Sequence, residues 1–271
     1  MIRSDLNQRQ KALITIRFIG TGSAFSKKYG NTSALVTVTP PGGIPRRLLL
    51  DCGRTTPDDL VRAGLAWTDV DAIYISHLHG DHVFGLEEAG FMGRFVLNRK
   101  PHLIFPDEVI ARNLWDHVLK GTMVEGDNID HTLESYFTYE TAEPETRTFL
   151  FNGIRFTVYR TEHVRDKRSY GVVIGDEGEI VYTADTLLNR EQLEAFSTRG
   201  CQAIFHDCQL QHYEGQVHAS LQELETLDEF VRSRTYLMHY GDTIETYRER
   251  IERSGFRIVV REFDYSFEIS C

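Results

Sequence analysis

Four side chains able to bind a metal ion lie within six residues of this chain: His77, His79, Asp81 and His82. Neutral imidazole and carboxylate oxygen are good ligands for Zn²⁺, and both also suit Mn²⁺. Because His77 and His79 are two positions apart, an extended backbone points both toward one ion, while Gly80 allows a turn that presents the next two ligands to a second ion. The apolar run 70–75 just before them is typical of a buried strand. The stretch therefore predicts a metal site, against the alternative of a histidine-rich surface loop.

Further ligands for two ions follow other predicted strands. His163 follows the strand-like segment 154–159, Asp185 follows 179–183, and His239 follows 236–238. Taken singly, each of the three has an equally simple interpretation as a structural residue. Taken together, they supply the additional ligands that a two-metal centre needs. Asp51, at the end of the predicted strand 47–50, is either an acceptor for the N–H of a metal-bound imidazole or a turn aspartate.

The order of these ligands resembles that of the metallo-β-lactamase superfamily. The resemblance covers nearly the whole chain, and it implies an α/β fold, a four-layer αββα sandwich with a two-metal centre between its sheets. Three segments are similar to the ribonuclease Z branch of that superfamily: Gly-Thr-Gly-Ser-Ala at 20–24, Leu-Asp-Cys-Gly at 50–53, and the segment 76–85. The pattern is specific for the superfamily and not for a substrate.

Two motifs depart from the ribonuclease Z branch. That branch carries a His-Glu-Ala-Thr box and a Gly-His-Ser-Thr box, where this chain has His-Asp-Cys-Gln at 206–209 and Val-His-Ala-Ser at 217–220. By the same resemblance, His206 and His218 are candidate catalytic residues. They would bind the non-bridging phosphate oxygens or donate a proton to the leaving oxygen.

The resemblance also implies a role for each metal ligand. One divalent ion would be bound by His77, His79 and His163, the other by Asp81, His82 and His239, with Asp185 as the bridge. Asp81 would in addition orient or deprotonate the attacking water. Two divalent ions, two aspartates and a bridging hydroxide leave a charge of about +1, which matches a phosphodiester monoanion. We therefore expect two ions as cofactors, Zn²⁺ or alternatively Mn²⁺.

Length and composition predict one cytoplasmic domain over residues 1–271. No linker-like interruption separates His77 from His239, and a hydrophobic content of 41% is enough for a sizeable core. No apolar run approaches the roughly 20 residues that span a bilayer, and the polar segment Met1 to Lys11 lacks the apolar core of a secretory signal. The cysteines have no CxxC spacing, which favours reduced thiols.

The net charge of −10 argues against a large nucleic-acid surface, because such surfaces cluster Lys and Arg to neutralise phosphates. A local basic cluster nonetheless surrounds His163, formed by Arg160, Arg165, Lys167 and Arg168. This cluster either meets a substrate phosphate or is a solvated loop.

Strands and helices alternate along the chain in the manner of an α/β protein. The predicted helices include 56–63, 86–97, 107–119 and 188–196. A further amphipathic helix is predicted over 220–231, with a core-facing side formed by Leu221, Leu224, Leu227 and Phe230.

The acid-rich segment 121–147 breaks this alternation and is predicted to be a surface loop. The alternative is a lid or a dimer contact, since the aromatic side chains of Tyr136, Phe137 and Tyr139 are costly to leave in water.

The interval between His163 and Asp185 bears on the substrate. Bacterial ribonuclease Z generally carries its long transfer-RNA-binding arm between the matching ligands, but here only 22 positions separate them, and two predicted strands fill most of that space. The chain thus also resembles the metallo-β-lactamase-fold cyclic nucleotide phosphodiesterases, including the anti-Pycsar enzymes that destroy cyclic CMP and cyclic UMP. We expect hydrolysis of a small phosphodiester of this kind by a homodimer.

Three alternatives stay open. The first is transfer-RNA 3′ processing, and the second is hydrolysis of another small molecule, as by a lactonase or an arylsulfatase. The third, from a different class, is a protein that binds and sequesters a nucleotide without cleaving it, although an intact ligand set argues against loss of catalysis. A flavo-diiron oxidoreductase is disfavoured, because that branch has a carboxylate at the position of His79.

Overall fold

The structure, a computed structural model, describes residues 10–126 and 130–270. Most of the polar segment Met1 to Lys11, residues Asp127 and Asn128 of the acid-rich segment, and Cys271 therefore lie outside the described residues. The expectation of one domain over the whole chain remains a prediction. Among the described helices, none has the length and apolar character needed to cross a bilayer.

The described residues form fourteen strands, most of them rich in β-branched and aromatic side chains. In chain order they are β1 (Lys11–Gly20), β2 (Ser33–Thr39), β3 (Arg46–Leu50), β4 (Ala72–Tyr74), β5 (His102–Phe105), β6 (Thr138–Thr141), β7 (Thr148–Phe151), β8 (Ile154–Arg160), β9 (Tyr170–Ile174), β10 (Ile180–Tyr182), β11 (Ala203–Asp207), β12 (Thr235–Met238), β13 (Arg257–Ile258) and β14 (Asp264–Ser270).

The helices of the described part are short. They are α1 (Thr56–Arg62), α2 (Gly80–Val83), α3 (Leu86–Phe91), α4 (Glu108–Leu114), α5 (Lys120–Met123), α6 (Arg190–Thr198), α7 (Leu221–Leu224), α8 (Glu229–Arg232) and α9 (Ile244–Arg253). π-helical turns at Met92–Val96 and Trp115–Leu119 extend α3 and join α4 to α5. Side chains of Asp107, Asn189 and Ser220 accept backbone N–H groups at the starts of α4, α6 and α7, which satisfies donors that the helices leave unpaired.

The strands pair into two mixed sheets of seven described strands each. The order is β14-β1-β2-β3-β4-β5-β6 in the first sheet and β13-β12-β11-β10-β9-β8-β7 in the second. In each sheet one side is parallel, β3 to β6 in the first and β10 to β13 in the second. Because parallel strands end at the same edge, the loops after β10 and β12 emerge side by side.

Three apolar clusters separate four layers of structure. The cluster between the two sheets includes Phe18 and Phe205. A second cluster, with Leu114 of α4, lies between the first sheet and its helices, and a third, with Leu193 of α6 and Ile251 of α9, lies between the second sheet and its helices. A helix layer thus covers the outer face of each sheet, and the predicted four-layer αββα sandwich is confirmed.

The prediction that the segment 121–147 is a surface loop is wrong for its described residues. The segment contains β6, and Tyr136 and Phe137 are fully buried in the apolar cluster of the first sheet. The Tyr136 hydroxyl donates a hydrogen bond to the carbonyl of Met123, so the phenol is buried with its polar atom satisfied. The acidic composition hid these anchors, because only the side chains between the acids reach the core.

Residues 220–231 form two short helices, α7 and α8, rather than the single amphipathic helix predicted from the leucine spacing. The helix breaks after Leu224, and α8 starts afresh from Asp228, whose backbone is extended with ψ of 147°. Leu224 and Leu227 are buried as expected, whereas Phe230 is 51% exposed. The break removes Phe230 from the face that the leucines share.

Candidate metal centre

Seven side chains from both sheets converge at one site. Their ligand atoms form two groups, His77, His79, His163 and Asp185 in one and Asp81, His82, Asp185 and His239 in the other, and within each group these atoms lie within 4.8 Å of one another. The first four ligands in sequence follow β4 of the first sheet, while the other three follow β8, β10 and β12 of the second. The structure therefore brings together all of the metal ligands suggested by the sequence.

The three-histidine group consists of His77, His79 and His163 with the shared Asp185. His79 Nδ1 lies 3.0 Å from His77 Nε2 and 3.1 Å from His163 Nε2. Asp185 Oδ2 is 3.7 Å from the Nε2 atoms of both His77 and His163. Burial lowers the pKa of all three histidines, that of His79 to about 4. The imidazoles are therefore neutral near pH 7, the form that binds a metal ion.

The two-carboxylate group consists of Asp81, His82 and His239 with the shared Asp185. His82 Nε2 lies 3.3 Å from Asp81 Oδ2 and 3.3 Å from Asp185 Oδ1. His239 Nδ1 is 3.4 Å from Asp185 Oδ1, and its Nε2 is 3.8 Å from Asp81 Oδ2. Burial alone would lower the pKa of His82, but the surrounding carboxylates, that of Asp185 foremost, raise it. This half of the site is thus strongly electronegative.

Two buried ring nitrogens of the two-carboxylate group have no hydrogen-bond partner among the described residues: His82 Nε2 and His239 Nδ1. A buried polar atom left unpaired costs about 1–3 kcal/mol. Both nitrogens face the carboxylate of Asp185. A donor set of imidazole nitrogens and carboxylate oxygens with unused lone pairs fits a divalent cation such as Zn²⁺ or Mn²⁺.

A buried network under the two-carboxylate group centres on Asp51. Its Oδ2 lies 2.8 Å from His82 Nδ1, and it accepts hydrogen bonds from the Ser76 hydroxyl at 2.8 Å and the Tyr182 hydroxyl at 3.4 Å. The Ser76 backbone N–H donates to the other carboxylate oxygen. Asp51 therefore holds the proton of His82 on Nδ1 and leaves Nε2 with a free lone pair, as a metal ligand requires.

Left-handed backbone recurs next to the ligands. Asp51 has φ of 60°, Ala184, which precedes Asp185, has φ of 51°, and His239 has φ of 60°. Such a conformation costs of order 1–3 kcal/mol for a residue other than glycine and persists where surrounding contacts enforce it. At His239 the backbone N–H donates to the carbonyl of Thr21 at 2.9 Å, which holds this ligand against the loop after β1.

Gly80 has a different role from the turn expected of it. It begins α2 without a left-handed φ, and a Cβ at this position would overlap the ring of Phe84. Glycine is required here because an aromatic side chain packs directly on the ligand segment, between His79 and Asp81.

His218 lies beside both groups of ligands. Its ring centroid is 4.8 Å from that of His163 and 5.1 Å from that of His239. Its Nδ1 is 2.7 Å from Asp207 Oδ2. Burial alone would lower the pKa of His218, but Asp207 raises it to about 9. Asp207, His218 and His239 are also close enough to share an ion, yet the hydrogen bond already uses His218 Nδ1 and one Asp207 oxygen.

The structure does not bring His206 to the pocket, contrary to its expected role at the phosphate. His206 is 1% exposed, and its Nδ1 lies 2.6 Å from the carbonyl of Asp207. Side chains alternate along β11, so Asp207 shares the inner face with Phe205, whereas His206 points the other way with Ile204. The partner of His218 is therefore Asp207, a residue that strand periodicity within the 206–209 motif identifies.

A pocket of about 410 Å³ opens over the ligands, within the roughly 300–1,000 Å³ typical of small-molecule sites. His79, Asp81, His163, Asp185, His218 and His239 line its floor and walls, together with Ala24, Phe25, Arg54, Gly80, Phe84 and Val217. Its lining thus combines ligating groups with two aromatic rings and one guanidinium.

Only one member of the basic cluster faces the ligands. Burial lowers the pKa of Lys167, and the opposing charge nearest to it is that of Asp81. Arg168 is engaged by Asp107 at 2.6 Å, and the Arg160 guanidinium lies over the ring of Tyr170. Arg165 is 96% exposed, so the cluster is largely a solvated loop with Lys167 as the exception.

Comparison with known proteins places this geometry in a family. A family model described as anti-Pycsar protein Apyc1 matches residues 14–264. The anti-Pycsar protein Apyc1 of Paenibacillus harenae is 45% identical over 235 residues, which are 87% of this chain and 93% of that protein. The protein of the same name from Bacillus phage BSP38 is 39% identical over 257 residues, covering 92% of this chain and 97% of that one.

Solved structures agree on the fold. The metallo-β-lactamase fold protein YhfI from Bacillus subtilis superposes with a TM-score of 0.70 at 17% identity, over 94% of this chain and 99% of that chain. An identity this low speaks to the fold alone, and it matches the four-layer sandwich and the position of the ligands at the strand ends.

Proposed function

Because the chain belongs to the family of anti-Pycsar protein Apyc1, we propose that it is a metal-dependent phosphodiesterase that hydrolyses 3′,5′-cyclic mononucleotides, such as cyclic CMP and cyclic UMP, to linear monophosphates. The observation that carries this proposal is the set of seven ligands on the floor of a pocket of small-molecule size.

The three-histidine group and the two-carboxylate group would each hold one divalent ion, Zn²⁺ or Mn²⁺, with Asp185 between them. Bound ions of this kind supply Lewis acidity and a water of lowered pKa. The orphaned nitrogens of His82 and His239 support this assignment, because a cation satisfies both.

The reacting groups of the protein itself would be Asp81 and His218. Asp81 lines the pocket, where its carboxylate can orient a water for attack on phosphorus and accept its proton. His218 is fixed through Nδ1 by Asp207, which leaves Nε2 as the ring nitrogen for a phosphate oxygen or for protonation of the leaving 3′-oxygen. His206 has no part in this proposal.

The compact region between His163 and Asp185 supports a small substrate. Only β9, β10 and short turns connect these two ligands, so this interval offers no arm for transfer RNA. The net charge of −10 points the same way, because a long anionic substrate gains from a basic surface.

We also propose a homodimer in the cytoplasm. The three cysteines that the structure describes, Cys52, Cys201 and Cys208, are buried free thiols, as expected in a reducing compartment. Light scattering of the purified chain tests the dimer, and a monomer at micromolar concentration would contradict it.

Product analysis tests the activity. The metal-loaded chain is incubated with the four common 3′,5′-cyclic mononucleotides and, separately, with a 3′-extended transfer RNA. Linear monophosphates, absent with Asp81→Asn and His77→Ala, are the expected products. Cleavage of the RNA alone would replace this proposal with transfer-RNA processing.

A further inference from the structure

Two phenylalanines at the pocket are exposed to solvent. Phe25 is 86% exposed and Phe84 is 60% exposed, and both line the pocket that contains the metal ligands. Exposed aromatic rings forgo the free energy of burial, so two of them in one site with a defined charged floor indicate a partner for their faces.

The ring of Phe84 is seated on the ligand segment. It occupies the space that a Cβ of residue 80 would need, so Gly80 lets the ring approach the backbone between His79 and Asp81. The ring position is therefore fixed relative to the metal ligands, while the side chain keeps most of its surface open.

The loop that carries Phe25 is held by a carboxylate from a distant part of the chain. Asp242 accepts a hydrogen bond from the Ser26 hydroxyl at 2.6 Å, one from the Lys27 N–H at 3.0 Å and one from the Lys28 N–H at 3.1 Å. One side chain thus ties down the three residues that directly follow Phe25.

The same loop is tied to the last metal ligand. The N–H of Ser23 donates to the carbonyl of Tyr240 at 3.0 Å, and the Tyr240 hydroxyl donates to Thr21 Oγ1 at 2.8 Å. Together with the bond from His239 to Thr21, these contacts make the Phe25 loop and the His239 segment one unit. On the opposite side, Arg54 donates to the carbonyl of Ala24 at 3.2 Å.

We propose that Phe25 and Phe84 bind the base of the substrate by stacking on its faces, and that Asp242 is a positioning residue that fixes Phe25. This inference rests on the proposed function and adds the part of the site that recognises the nucleotide beyond its phosphate. A cyclic nucleotide has a planar base and a charged phosphate at opposite ends, and the pocket has aromatic rings near its mouth and ligands on its floor. Stacking of a base on an aromatic side chain strengthens binding by about 5- to 100-fold per base.

The test compares cyclic CMP with the 3,5-cyclic phosphate of 1,4-anhydroribitol, which has the same cyclic diester and no base. For Phe25→Ala and for Phe84→Leu, we expect the ratio of kcat/KM for cyclic CMP to that for the abasic compound to fall about 5- to 100-fold, through KM. Phe230→Ala, which truncates an exposed phenylalanine remote from the pocket, should keep the ratio of the unmodified chain. A ratio that is equal in all four proteins overturns the inference.

Asp242 supplies the second arm of the test. Its Oδ1 alone accepts from Ser26, Lys27 and Lys28, so Asp242→Asn keeps one acceptor in place while Asp242→Ala removes it. We expect Asp242→Ala to lower the same ratio as Phe25→Ala does, and Asp242→Asn to restore most of it. An equal loss of turnover with both substrates in Asp242→Ala would mean that Asp242 merely supports the fold.

The outcomes separate this inference from the proposed function. If the unmodified chain turns over neither substrate, the proposed function fails and the base site fails with it. If it turns over both with equal efficiency and the variants do not differ, hydrolysis stands and the base site falls. A change from dimer to monomer in Phe25→Ala or Phe84→Leu would show that a second copy covers these rings instead, which also overturns the inference.

Discussion

The two halves of the metal centre differ in how the protein holds them. In the three-histidine group the imidazoles touch one another, and only the shared Asp185 brings a negative charge. In the two-carboxylate group Asp81 and Asp185 both face His82, which in turn rests on Asp51. Cation affinity grows with ligand charge and with outer hydrogen bonds that orient the ligands. The comparison indicates one tightly held ion and one that exchanges more readily.

Removing the shared ligand should have the largest effect, because Asp185 belongs to both halves. We expect Asp185→Asn to lose both ions and to lower kcat/KM by at least about 10⁴-fold, since each ion contributes several kcal/mol to catalysis. Metal analysis by mass spectrometry and steady-state kinetics check this. Asp176→Asn, at an exposed aspartate paired with Arg155, is the matched control. Full metal content in Asp185→Asn would show that the two halves do not share a ligand.

His218 touches both halves without being assigned to either ion. We expect His218→Gln to lower kcat by about 10²- to 10³-fold, the usual contribution of a general acid, while both ions stay bound. Asp207→Asn should reproduce most of this loss, because the amide no longer orients the imidazole in the same way. Loss of an ion from either variant would instead make Asp207 and His218 metal ligands.

Asp51 sharpens the contrast because it contacts only the two-carboxylate group. Asp51→Asn keeps the shape of the side chain but weakens its hold on His82, and we expect the affinity for the tighter ion to fall about 10- to 100-fold. Competition with a chromophoric chelator measures this. Asp59→Asn, at another buried aspartate away from the ligands, should leave the affinity as it is. An affinity unchanged in Asp51→Asn would show that the carboxylates alone set the difference.

Stepwise loading tests the comparison with the smallest change. Titration of the metal-free chain with Zn²⁺ should give two steps separated by at least about 10-fold in affinity, and His79→Ala should abolish only the weaker one. Abolition of the tighter step by His79→Ala would reverse the assignment of the two halves.

The ligands were within reach of sequence because their chemistry is unusual and each follows a strand. Position along the chain predicted which residues are near the site, but not which face of a strand they occupy: His206 and Asp207 are adjacent, and only the second points toward His218. The exposure of Phe25 and Phe84 had no sequence signal, since it depends on how distant loops meet. Composition also misled at Tyr136, where acidic neighbours concealed a buried anchor.

A single-turnover experiment tests the central proposal most directly. The metal-loaded chain, in excess over cyclic CMP, is quenched at intervals, and the nucleotide is separated into cyclic and linear forms. We predict complete conversion to the linear monophosphate, and no conversion with Asp81→Asn. Cyclic CMP that stays intact while bound to the unmodified chain would contradict hydrolysis and identify a protein that sequesters the nucleotide.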